Sequence, residues 1–149
     1  NVTVCCNTLV SKEELTDFDE VVVAAGSSGL KHGWTMLKPE KWAGPALPGA
    51  DSPNVYSYTE VLDTNPELGQ KVIIFDIMGG RQGAVITEII ARQGATVHFV
   101  TQLGQPSPDL ASSRDWGKVH GMLKRLGVIF HVDKVTLEFA GEEALSIKL

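Results

Sequence analysis

"FDIMGGRQGAVITEIIARQG", residues 75–94, decides the fold. It overlaps the end of "KVIIF" (71–75), a short β-branched run of the kind buried in parallel sheets, and runs into "ATVHFV" (95–100), a second such run. Between them, residues 83–93 read as a helix. Val85 and Ile89, and Ile86 and Ile90, lie four apart on one face, and Gly94 stands where a left-handed helix cap is wanted. Strand, helix and strand of these lengths make one βαβ unit.

The turn into that helix raises the functional question. A dinucleotide-binding turn uses three glycines: one for a tight bend, one for a bare backbone facing the pyrophosphate, one for close approach of helix to strand. Counting back from Gly94, Gly83 takes the third place, Gly80 the second, and Met78 falls where the bend glycine belongs. Counting forward from Lys71, the first glycine is due at 76, so Asp76-Ile77 behaves as a two-residue insertion that lengthens the turn, with Gly79 sharing the bend. What survives is a helix N-terminus with unpaired N–H groups near 82–85 and Arg81 beside it, where an anion could rest. The candidate cofactor-binding residues are therefore Gly79, Gly80, Arg81, Gln82, Gly83 and Ala84. The carboxylate that normally accepts ribose hydroxyls at the end of the next strand is replaced by Thr101 followed by Gln102, which complete the set. Neither NAD nor NADP preference is written there. The opposing reading is that Gly83 and Ala84 are small only to seat the helix on the sheet and that Arg81 is a solvated loop residue. Asp76 weighs on that side, because its carboxylate would lie near a bound pyrophosphate.

Outward from this unit, Trp116, Val119, Leu123 and Leu126 recur at spacings of three, four and three, marking a second helix with Lys118, Lys124 and Arg125 solvated. "VIFHV", "VTLEF" and "ALSIKL" then read as a strand and an antiparallel meander, turning at Asp133-Lys134 and at 140–143. Upstream, "VTVCC" (2–6) and "EVVVAA" (20–25) read as strands, with Ser11 and Glu14 forming a capping box between them. Cys5 and Cys6 are then small buried hydrophobes facing opposite ways. The Pro- and Gly-rich stretch to Gln70 reads as an irregular connector pinned by Trp34 and Trp42. The expected organisation is residues 1–30 as the strands closing one domain, 31–70 as connector, and 71–149 as a Rossmann-like domain cut short at its C-terminus. Residues 20–25 are expected to pair beside 71–75, in the place of the missing strand.

With 13 Lys+Arg against 18 Asp+Glu, net −5, there is no basic stripe to attract nucleic acid. No apolar run approaches the roughly 20 residues of a membrane span, so the expected setting is cytoplasmic. His32, His98, His120 and His131 are far apart in sequence without ligand spacing, which argues against a zinc site, and "GSSG" lacks the spacing of a hydrolase elbow. No catalytic or metal-ligating residue is assigned.

Taken in order, "FDEVVVAAG" (18–26), "LPGAD" (47–51) and "GQKVIIF…QGAVITEIIARQGATVHFVT" resemble the nucleotide-binding C-terminal region of multidomain flavin oxidoreductases. The group is the trimethylamine dehydrogenase and 2,4-dienoyl-CoA reductase type of the Old Yellow Enzyme class. The resemblance implies an α/β, Rossmann-like FAD/NAD(P)-binding fold with a mainly parallel sheet, helices on its faces and a β-meander. It also implies ADP, NAD(P) or FAD as candidate ligands here, and FMN with an iron-sulfur cluster only in a barrel domain outside this chain. That barrel is the expected partner, and oligomeric contacts are left open. The altered turn "DIMGGRQG" and neutral Thr101 are nearer the amine dehydrogenases, which do not take electrons from a nicotinamide. Two functions follow: a dinucleotide-fold module of a flavin oxidoreductase with a degenerate turn, or a structural domain that keeps the fold without binding nucleotide.

Overall fold

A computed structural model describes residues 1–26, 31, 46–140 and 144–148, with side chains described as far as Lys134. Strand β1 (Lys71–Asp76), helix α2 (Arg81–Arg92) and strand β2 (Thr96–Thr101) form the expected βαβ unit, preceded by a short helix α1 (Tyr58–Thr64). Helix α3 (Trp116–Arg125) and strand β3 (Ile129–His131) follow, and β3 joins the sheet in the order β1-β2-β3, parallel throughout. The register sets Asp76 opposite Thr101 at the carboxyl end of β1 and β2. In a parallel α/β sheet that end is where ligands gather.

One face of the sheet carries the core. Ile86 and Ile90 from α2, Leu123 from α3, and Val97 and Phe99 from β2 are buried together, with Trp116, Val119 and Leu126 packed against them. The α3 stripe is the one the spacing predicts, and its basic residues are exposed. In α2 the stripe is Ala84, Ile86, Thr87 and Ile90, and Val85 faces outward. Thr87 is fully buried although polar, because its hydroxyl donates to the Gly83 carbonyl at 2.7 Å. Gly94 (φ +96°) and Gly127 (φ +79°) take the left-handed backbone after α2 and α3.

Several expectations are corrected. Residues 2–6 and 20–25 form no strand, each of residues 1–26 is exposed, and 20–25 does not pair with 71–75. A strand is held only by its ladder and by packing, and this arm has neither against the α/β body. Cys5 and Cys6 are accordingly exposed and free. The Ser11–Glu14 pair does form its reciprocal bonds, at 2.8 and 3.4 Å, ahead of a single 3-10 turn (Glu14–Asp17). The connector is not wholly irregular. Ser57 and Glu60 close a complete capping box that starts α1. Nor does a meander continue from β3. The strands β4 (Val135–Ala140) and β5 (Ala144–Lys148) pair antiparallel with each other as a separate two-stranded ribbon, and β3 stays at the edge of the parallel sheet. Trp34, Trp42 and His32 lie outside the described residues. Among those described, no helix is long and apolar enough to cross a membrane.

Candidate functional site

The elbow between β1 and α2 spans residues 77–80. Gly79 makes the bend with φ +71°, a left-handed conformation that a residue with a Cβ adopts only with strain, so the bend has moved from the place held by Met78 to its neighbour. Gly80 then caps α2 in extended conformation without any side-chain cap. Gly79, Gly80 and Ala84 are buried, whereas Arg81 and Gln82 are exposed. All eight candidate residues lie at or just beyond the carboxyl ends of β1 and β2.

What their polar groups do there is another matter. Asp76, only 6% exposed, turns its carboxylate into the elbow, where Oδ1 accepts the N–H groups of Gly79 at 3.0 Å and Met78 at 3.2 Å. Its other oxygen, Oδ2, is buried with no hydrogen-bond partner and lies over the first turn of α2. A Cβ built on Gly83 would stand 2.9 Å from Asp76 Cγ and 3.0 Å from Oδ2. The third glycine therefore makes room for a carboxylate of this chain. Burial pushes the Asp76 carboxyl above its ordinary value; the Gly79 and Met78 N–H groups pull the other way, and the Asp109 charge adds to the rise.

The segment after β2 closes over the same elbow. Leu103 and Pro108 occupy the space where a Gly79 side chain would project. The Asp109 N–H donates to the Gly79 carbonyl at 3.2 Å, and the Gln102 amide reaches the Ile77 carbonyl at 3.5 Å. Thr101 is fully buried and its hydroxyl accepts the Leu103 N–H at 3.2 Å, so it shapes its own loop. Arg81 leans away, with Nη2 3.4 Å from Asp115 Oδ2 and 3.3 Å from Ser113 Oγ. The Ser113 hydroxyl, and after it Arg81, hold the Asp115 carboxyl below its ordinary value. A pyrophosphate at the elbow would meet the buried Asp76 carboxylate, which already holds the Met78 and Gly79 N–H groups ahead of α2.

Sequence reasoning missed one pair. His98 on β2 and His131 on β3 stack with ring centroids 5.2 Å apart, and His98 Nδ1 is 2.9 Å from His131 Nε2. Their distance in sequence hid the contact, which exists only because β2 and β3 are parallel neighbours. One ring must donate and the other accept, which turns both nitrogens inward, and among the described residues no group of three metal-ligating side chains forms.

No family model matches the chain. The fold is shared with solved structures of much longer proteins. A 6-hydroxypseudooxynicotine amine oxidase from Pseudomonas geniculata N1 matches 95% of this chain with TM-score 0.80 and 23% identity. A histamine dehydrogenase from Rhizobium sp. 4-9 matches 84% with TM-score 0.68 and 21% identity. A 2-naphthoyl-CoA reductase bound to 2-naphthoyl-CoA matches 70% with TM-score 0.62 and 18% identity. The chain spans 20%, 20% and 15% of those proteins respectively. At these identities the likeness establishes the Rossmann-like fold.

Proposed function

We propose that this chain is a Rossmann-like domain of a larger flavin-dependent oxidoreductase of the trimethylamine dehydrogenase type, and that it serves there as a packing domain rather than a nucleotide carrier. The first half rests on the motif order "FDEVVVAAG", "LPGAD" and the βαβ unit, together with the likeness to proteins whose names are those of an amine oxidase, an amine dehydrogenase and a reductase. The second half rests on one observation, the closure of the elbow by Leu103, Pro108 and Asp109 on Gly79. The ADP half of NAD(P) or FAD would need that space. In this reading flavin and iron-sulfur chemistry belongs to the barrel domain of the parent protein.

The test is a titration of the isotope-labelled 149-residue chain with ADP, NADH, NADPH and FAD, following the amides of Gly79 through Ala84. Those amides stay unmoved if the elbow is closed. Saturating shifts confined to them would return the domain to the nucleotide binders and overturn the packing role.

A further inference from the structure

The N-terminus of α2 has every feature of an anion seat except room for a ligand. It has 12 residues behind it, no side-chain cap at Gly80, and glycine at 79, 80 and 83. The body filling the seat is Asp76. Its Oδ1 takes the Met78 and Gly79 N–H groups of the elbow just ahead of the helix, and its Oδ2 is buried over Gly83 without a partner. We infer that the Asp76 carboxylate is a built-in occupant of a phosphate seat, holding the elbow in its bent form and excluding phosphorylated ligands by charge and volume. The inference extends the packing role proposed above but stands on different atoms, those beneath the elbow rather than the loop over it.

Two geometric details favour an occupant over an incidental neighbour. Buried polar atoms ordinarily have at least one hydrogen-bond partner, yet Asp76 leaves Oδ2 without one where it lies over Gly83 in the first turn of α2. Arg81, the cation best placed to draw a phosphate, is engaged with Asp115 instead.

Removing the occupant should therefore open the seat. The variants are Asp76→Ala, which clears charge and volume, and Asp76→Ser, which keeps a short acceptor for the Gly79 N–H. The probe is inorganic pyrophosphate, with the amides of Gly79 through Ala84 as readout. Losing one like charge within a few ångströms at a partly buried site is expected to tighten pyrophosphate about tenfold or more over wild type, and added salt should weaken it. If a variant is loosened by the loss of its occupant, pyrophosphate should raise its thermal midpoint while leaving wild type unchanged. Folded variants that bind pyrophosphate no better than wild type, or loosened variants it does not stabilise, would overturn the inference. The packing role would survive that result, and would instead fall if wild type bound the nucleotides.

Discussion

At the scale of single residues, Gly83 has a reason for being small that can be measured. Within a helix, glycine costs up to about 1 kcal/mol relative to alanine, so Gly83→Ala would ordinarily stabilise. Here the added methyl would press on the Cβ, Cγ and Oδ2 of Asp76 at 2.9 to 3.1 Å. Two hydrogen bonds hold that short side chain, so it cannot swing aside. Overpacking of this kind costs about 1–3 kcal/mol, and the balance is a net loss of up to about 2 kcal/mol in urea unfolding. In an Asp76→Ala background the same change should become neutral or favourable. An additive double-mutant cycle would show that the two positions do not touch. Asp76 also carries a pH signature. Because its folded pKa lies above 3.8, the folded chain binds this proton more tightly than the unfolded chain does. Its contribution to stability is greatest below 3.8 and falls as pH rises through the raised folded value. Relative to wild type, Asp76→Asn should gain stability as pH rises from below 3.8 through the raised folded value, read as a difference in urea midpoints so that other titrating groups cancel. A difference that does not change with pH would mean burial places no burden on the carboxylate.

At the scale of elements, the parts that follow a simple period were legible and those that depend on a distant partner were not. β1, β2, α2 and α3 are bounded within two residues of their apolar patterns, since burial of a stripe against one sheet face dictates both period and extent. Thr87 escaped notice because its polarity hides a hydroxyl satisfied within its own helix. α1 escaped because prolines nearby drew attention from the Ser57–Glu60 signature, although the same signature was read at Ser11–Glu14. The elbow's position was legible from its glycines. Its occupant was legible only as a misplaced charge, because the folding-back of Asp76 is decided by three-dimensional approach to Gly83. The elements differ in what holds them, and two substitutions separate the cases. Ser57→Ala removes the acceptor for the Glu60 N–H and should cost about 1 kcal/mol. Ile90→Ala, at a fully buried position between α2 and the sheet, should cost about 2–5 kcal/mol. If the Ser57 change proved the larger by equilibrium unfolding, the core would not lie where α2 meets the sheet.

At the scale of the whole molecule, the exposed arm is the feature least suited to a domain on its own. Val2, Val4, Leu9, Phe18, Val22 and Val23 are all more than half exposed, and Val22 and Val23 stand at 91% and 82%. Large apolar side chains gathered on an extended segment are usual at contact surfaces and costly in free solution. The α/β body buries its own core without them, so the arm adds nothing to its stability. Deleting residues 1–26 should change the unfolding free energy by no more than about 0.5 kcal/mol, the range of surface changes generally. Amide exchange in the intact chain should divide the same way, fast over Val21 to Ala25 and slow over Val97 to Val100 in β2. Exchange depends on opening, and an amide in no ladder needs none. Slow exchange at Val21 to Ala25 in the isolated chain would mean that this segment pairs with the body after all. It would restore the expected strand beside 71–75 and place the arm in the interior of this chain rather than at its surface.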